Sequence, residues 1–262
     1  MKLKRLPVYK NTQSLSYDEL LSTVRKTAEK SGAQIKSVTQ ENLPECEWVV
    51  SENSLYAVRA ETDIGLISAF ATGGVSINFS EPVAGNGTGR DAAGYFIEKY
   101  SSVIGFKNPV LCVTSDYDIN GGESAEYRVY DGSGGDLKRV KSYNFGSVFF
   151  DINENDGLES LRISSVDGAK KLGDYPIISY KEAEKLLLGG EYISGSADGI
   201  ENGVVVREKI KKVELVYSID PTDAYFAPYY RFYVELDRSP AAGFKCYGEF
   251  DVPAVNSKYI SN

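Results

Sequence analysis

This sequence predicts an α+β protein built of helices laid on antiparallel sheets, and three observations carry the prediction. Two segments open with the Ser-x-x-Glu spacing of a capping box before an apolar run of helical period, at Ser16 and at Ser179. A helical segment followed by alternating, strand-like runs occurs three times along the chain. Tyrosine is abundant at 19 residues, which suits half-buried antiparallel sheets, where the ring packs and the hydroxyl reaches water. A doubly wound parallel sheet is not expected.

Taken in order, an N-terminal arm at Leu6-Pro-Val-Tyr9 precedes a helix capped by Ser16 and Glu19, with Leu20, Leu21, Val24 and Ala28 on one face and Gly32 as its stop. Strand-like pieces follow at 34–39, 47–51, 54–61, 65–71 and 75–79. A glycine-rich link at 84–89 leads to a second helix over 90–102, with Ala93, Phe96, Ile97, Tyr100 and Val103 sharing a face. Strands at 110–117, 124–130, 142–152 and 157–165 read as two hairpins that turn at Asn120-Gly-Gly and Asn155-Asp-Gly157. The third helix follows Ser179, with Glu182 completing its capping box, and stops at Gly189-Gly190; strands at 213–219, 229–236 and 246–252 end the chain. The pattern is a pseudo-repeat of α-β-β units. It gives an N-terminal unit over 1–83, a middle helix with two hairpins over 84–170 packed with the first, and a C-terminal unit over 171–262, the last boundary falling within 167–174.

Composition narrows the functional classes. With 262 residues and 42% hydrophobic content the chain buries a substantial core. A formal net charge of −8 argues against nucleic acid and against an anionic membrane surface, both of which need a positive field. The basic clusters at 2–5 and 209–212 read as a tail and as the solvent side of a strand. Histidine is absent. That removes Ser-His and Cys-His nucleophile pairs, histidine-ligated zinc, and the side chain best suited to proton transfer near neutral pH. The three cysteines, Cys46, Cys112 and Cys246, are far apart and form no C-x-x-C pair, so no metal knuckle is expected; Cys112 reads as a buried strand residue. No run approaches the ~20 apolar residues of a membrane-spanning helix, and the N-terminus lacks the apolar stretch of a signal peptide.

Few segments carry candidate chemistry. Residues 116–121 match the first half of a calcium loop, but its twelfth position is Tyr127 where a bidentate glutamate is needed, so a hairpin turn is the reading. The segment 151–157 reads the same way. Gly85-x-Gly-x-Gly89 fits neither nucleotide-binding spacing and reads as a flexible connection. The densest aromatic cluster is 225–233, and alternation from Tyr229 places Tyr229, Arg231, Tyr233 and Glu235 on one face, with Tyr230, Phe232, Val234 and Leu236 facing the core. The first set is the candidate partner-binding face, because exposed Tyr and Arg are enriched at interfaces; the competing reading is a face covered by the rest of the chain. No cofactor, metal or catalytic residue is expected.

The segment Ile178-Ser-Tyr-Lys-Glu-Ala-Glu, followed by Val213-Glu-Leu-Val-Tyr and Tyr230-Arg-Phe-Tyr-Val-Glu-Leu, resembles PepSY-type modules, in which Ile-Ser-x-Glu-Glu-Ala precedes a β-hairpin. Upstream, Tyr127-Arg-Val-Tyr130, Phe145-Gly-Ser-Val-Phe-Phe-Asp151 and Gly157-Leu-Glu-Ser-Leu161 resemble strands of the YycH/YycI-type envelope regulators. The resemblance covers about two-thirds of the chain and implies PepSY- or cystatin-like helix-on-sheet units in an exported, cell-envelope or lipid-anchored protein that binds and regulates a protein or peptide partner. Those regulators carry an N-terminal membrane helix, which this sequence does not show, so membrane attachment is expected only through a removed anchor; the alternative location is cytoplasmic. Two other functions stay open at this stage: binding of a carbohydrate or small ligand by the tyrosine-rich face, and a hydrolase using paired carboxylates among 37 Asp and Glu.

Overall fold

The computed structural model describes residues 4–11, 15–42, 56–71, 73–117, 123–165, 169–195, 200, 203–218, 223–237 and 245–259. The expected strand at 47–51, Cys46, the turn at Asn120-Gly-Gly and most of the 116–121 loop lie outside these residues. In chain order the elements are β1 (Arg5–Lys10), α1 (Tyr17–Ser31), β2 (Ile35–Asn42), β3 (Tyr56–Thr62), β4 (Gly65–Phe70), β5 (Val75–Val83), α2 (Arg90–Lys99), α3 (Ser101–Ile104), β6 (Pro109–Tyr117) and β7 (Glu123–Asp131). Then come α4 (Asp136–Phe145), β8 (Val148–Ile152), β9 (Leu158–Ile163), β10 (Lys170–Pro176), α5 (Tyr180–Leu188), β11 (Ser194–Gly195), β12 (Ile210–Tyr217), β13 (Tyr225–Phe226), β14 (Pro228–Glu235) and β15 (Tyr247–Pro253). The fold is α+β with extensive antiparallel sheets, and it divides into two units: residues 12–116 with 124–169, and residues 1–11 and 117–123 with 170–262.

The larger unit is one eight-stranded sheet in the order β2-β3-β4-β5-β9-β8-β7-β6. Its cross-strand register sorts the side chains. One row runs Val38, Ala60, Ile67, Ile77, Leu161, Phe150 and Tyr127 from β2 to β7, and every member after Val38 is buried. The neighbouring row on the other face runs Thr39, Arg59, Ser68, Ser76, Arg162, Phe149 and Arg128. This is the two-residue period of a pleated sheet written across seven strands. The apolar face is covered by Leu20, Val24 and Ala28 of α1, by Ala92, Ala93 and Phe96 of α2, and by Val103 and Ile104 of α3. Phe96 meets Phe150 edge-on at 6.3 Å. Both ends of α1 follow from its sequence: the Ser16 N–H donates to the Glu19 carboxylate at 2.8 Å, and Gly32 takes the left-handed conformation at φ 74° that ends a helix without steric cost.

Three sequence expectations change here. The unit boundary drawn after residue 83 is crossed by the sheet, because β5 pairs with β9. The helix expected over 90–102 is two helices, α2 and α3, meeting at Tyr100. The strand expected over 142–152 begins only at Val148; residues 136–145 form α4 instead. Tyr143, Phe145, Phe149 and Phe150 read together as a strand because aromatic residues favour sheets, whereas Gly146 separates them into a helix end and a strand.

The start of α4 is organised by Asp131. Its carboxylate accepts from the N–H and hydroxyl of Ser133 at 2.9 and 2.8 Å, from the Asn108 N–H at 3.2 Å, and from the Lys138 ammonium at 3.4 Å. These bonds, those from Ser133 above all, hold the Asp131 carboxyl at about 2, below its ordinary 3.8.

The smaller unit has a three-stranded sheet, β10-β1-β13, and a four-stranded sheet, β11-β15-β14-β12. The N-terminal arm is therefore a strand of this unit, paired with β10 from Arg5↔Pro176 to Lys10↔Lys170. Leu6 and Phe226 are fully buried, and the Tyr217 hydroxyl donates to the Pro7 carbonyl at 2.9 Å. α5 packs on β15, with Ala183 and Leu187 set against Phe232, Val234, Phe250 and Val252. Its capping box is formed, the Ser179 N–H donating to Glu182 at 2.7 Å.

Two outcomes test this account. Gly65 sits at φ 140°, and a Cβ there would lie 2.1 Å from the Asn78 carbonyl oxygen, so Gly65→Ala is expected to cost about 3 kcal/mol, read as a lowered urea midpoint. The Asp131 carboxyl is lowered in the folded state, so its stabilisation is complete above 3.8 and is lost as pH falls through about 2. The gap in urea midpoint between wild type and Asp131→Asn is accordingly expected to close across that window.

Candidate functional site

The four residues singled out by alternation lie together on one face of β14. Their neighbours in register are Val216 and Pro253 beside Tyr229, Glu214 and Asp251 beside Arg231, and Lys212 and Glu249 beside Tyr233, with Tyr247 beside Glu235. The opposite face carries Phe232 and Val234, fully buried under α5. Tyr230, on that same inner side, donates its hydroxyl to the Ile178 carbonyl at 2.9 Å. Tyr229, Arg231, Tyr233 and Glu235 are all half-buried, between the open platform and the covered scaffold that the sequence left as alternatives.

Arg231 is the organising group. Its guanidinium makes a two-pronged contact with Asp251, Nε to Oδ1 at 2.9 Å and an Nη to Oδ2 at 2.8 Å, and its other Nη meets Glu249 at 3.0 Å. The Arg231 side chain is 29% exposed and that of Asp251 10%, so the pair is stronger than an ordinary surface ion pair. The hydrogen bonds that Arg231 donates to Asp251, aided by the charges of Asp251 and Glu249, raise the Arg231 pKa further above its already high value. The Tyr233 hydroxyl donates to Glu214 at 3.0 Å, and the Lys212 ammonium lies 5.0 Å from the Tyr233 ring centroid. Burial, followed by the Glu214 charge, holds the Tyr233 phenol protonated well above its usual range. Burial also raises Tyr229, with Asp223 and Asp251 adding to the effect. Glu235 is bracketed by Lys245 at 3.0 Å and Lys211 at 3.2 Å, which lower its pKa.

The result is a lattice of fixed charges and tyrosine rings. Its ionic partners, Glu214, Glu249 and Asp251, were not singled out from the sequence. A signal was present, since Tyr247, Glu249 and Asp251 share the outward parity of β15 as Tyr229, Arg231 and Tyr233 share that of β14, but only the register shows that they meet. A second polar assembly also went unread: the guanidinium carbons of Arg128 and Arg162 lie 4.6 and 4.9 Å from the Phe149 ring centroid, on the row of the larger sheet that runs from Thr39 to Arg128.

The remaining motifs are occupied by the fold. In 151–157 the Asn153 side-chain oxygen accepts from the N–H groups of Asn155 and Gly157, at 3.0 and 2.9 Å, closing the β8–β9 hairpin. The Gly85–Gly89 link is tied down at its end, because the Gly89 N–H donates to the Asp156 carboxylate at 2.6 Å, so a carboxylate already faces the start of α2. Cys112 and Cys246 are free thiols and half-buried, Cys112 less enclosed than its strand position implied. Among the described residues no three His, Cys, Asp or Glu side chains gather as metal ligands, and no helix is long and apolar enough to cross a membrane.

The Arg231–Asp251 pair sets a measurable expectation. Arg231→Ala leaves a nearly buried carboxylate without its partner and is expected to cost about 2–3 kcal/mol in urea unfolding. The double variant Arg231→Met with Asp251→Leu removes both charges and is expected to recover most of that loss.

Comparison with known proteins adds little to this geometry. No family model matches the chain, and no curated protein matches it. A crystal structure of an uncharacterized protein from Eubacterium rectale ATCC 33656 is similar at 10% sequence identity, with 94% of this chain and 82% of that one covered and a TM-score of 0.44. A likeness at that level assigns neither fold family nor activity.

Proposed function

We propose that this chain is a non-enzymatic binding protein and that the outer face of β14 and β15 docks a protein or peptide partner. The observation that carries the reading is the charge lattice around Arg231. Aromatic rings and an arginine stand there in positions fixed before any partner arrives, so little side-chain entropy is lost on docking. Tyrosine and arginine are the residues that concentrate binding energy at protein interfaces. Tyr247, 48% exposed, and Glu249 extend the lattice towards solvent. A regulatory role at the cell envelope goes with this reading and rests on the PepSY- and YycH/YycI-type resemblance of the sequence.

Arg231 is a poor probe of the idea, because its loss unsettles Asp251. Tyr247→Ala combined with Glu249→Ala is the better one, since neither side chain is buried. Peptides selected from a displayed library against the whole chain are expected to lose about tenfold or more in affinity for this variant while its thermal melt stays unchanged. Selected peptides that bind wild type and variant equally would overturn the assignment of this face.

A further inference from the structure

A cleft of about 510 Å³ opens in the larger unit, lined by Lys30, Ser31, Asp63, Ile64, Phe79, Ser80, Glu81, Val83, Lys99 and Tyr100. Its origin is a break in the sheet. β5 keeps register with β9 as far as Asn78↔Ser160 and resumes it only at Val83↔Leu158. Pro82 has no N–H to give to a ladder, which places it where strands bulge. Phe79, Ser80 and Glu81, freed from β9 by that bulge, form one wall with Val83. The facing turn is rigid: the Thr62 hydroxyl donates to the Gly65 carbonyl at 2.7 Å and accepts from the Gly65 N–H at 3.1 Å, while the Ser80 N–H donates to the Ile64 carbonyl at 3.0 Å. Lys30 and Lys99 arrive from the last turns of α1 and α2.

Two features of the lining point to a ligand. First, Lys30, Lys99, Asp63 and Glu81 line one cleft, yet among the described residues none of the four forms an ion pair within 4.0 Å. One oxygen of Asp63 accepts from the Gln34 N–H at 2.7 Å and the Lys99 ammonium lies 5.6 and 5.9 Å from the Tyr95 and Tyr100 ring centroids, but none of the four charges is neutralised by an opposite one, so the cleft keeps both signs. Second, Tyr100 is only 6% exposed and packs on Phe79 at 5.5 Å between ring centroids, but its hydroxyl has no hydrogen-bond partner among the described residues. The buried polar side-chain atoms without a partner are Arg59 Nε and Arg128 Nε, so the Tyr100 hydroxyl is still reached by solvent. Burial, with Tyr95 nearby, raises this phenol to about 12, so it stays a hydrogen-bond donor at neutral pH. Phe79 and Tyr100, with Ile64 and Val83, supply an apolar floor beneath a rim of both charges.

We infer that the cleft binds a small zwitterion with an apolar body, the chemistry of a free aromatic or branched amino acid. Its carboxylate is held by Lys30 and Lys99, its ammonium by Asp63 and Glu81, and its side chain rests on Phe79 and Tyr100. This site is independent of the β14 face. The cleft volume lies within the range of small-ligand pockets, about 300–1,000 Å³.

Isothermal titration of the whole chain with L-phenylalanine and L-leucine, and with phenylacetate and 2-phenylethylamine as analogues bearing one charge each, tests the inference. Saturable binding of an amino acid is expected, weakened about tenfold in either analogue and in either Lys99→Gln or Glu81→Gln. Both substituted side chains are exposed, so circular dichroism melts should match wild type. Amide shifts of residues 79–81, 83 and 100 on addition of L-phenylalanine to the unaltered protein give a second readout. No saturable binding of either amino acid, equal binding of a singly charged analogue, or variants that bind as wild type would each overturn it.

Discussion

Cross-strand register in the larger sheet is the constraint on which the rest of that unit depends. Seven strands agree on which residue stands beside which, so one row is Ala60, Ile67, Ile77, Leu161 and Phe150 while the next is Arg59, Ser68, Ser76, Arg162 and Phe149. A slip of one residue in β3, β4, β5 or β9 would bring an arginine or serine into the core face and carry an aliphatic side chain to the other face. The penalty for a buried unpaired guanidinium far exceeds that for a lost ladder hydrogen bond. Specificity here comes from that asymmetry more than from the strength of any single contact.

The same ladder explains where the sheet can afford to fail. Between Asn78 and Val83 the pairing lapses, and the lapse coincides with Pro82 and with the close approach of Gly65 to the Asn78 carbonyl. A side chain at position 65 would force the two strands apart; a proline in an unbroken ladder would leave a carbonyl unanswered. Both residues suit an interruption, and the cleft is what the interruption encloses.

Legibility in the sequence followed the range of the interactions. Both capping boxes were readable because Ser16 with Glu19 and Ser179 with Glu182 are contacts across three residues. The parity of Tyr229, Arg231, Tyr233 and Glu235 was readable because a strand alternates by itself. What Arg231 meets was not, since Asp251 lies 20 residues away and the pairing depends on register. α4 went unread because its buried content is little more than Phe145; its anchor, Asp131, acts through a turn and a side chain, neither of which leaves a periodic trace. The membership of β1 in the C-terminal unit was furthest out of reach, since its ladder to β10 joins Arg5 to Pro176, across most of the chain.

That last pairing has a temporal consequence. A ribosome makes β1 before its partners, β10 and β13 appearing only once residues 170 and 225 are reached. The larger unit, contained within 12–169, has all its strands before either partner strand of β1 exists. Synthesis therefore favours an order in which the inserted unit condenses first and β1, with the apolar Leu6, waits for the chain to return. A strand made before the inserted unit and paired only after that unit is complete is a segment exposed to chaperones, and to mispairing, while the polypeptide is still growing.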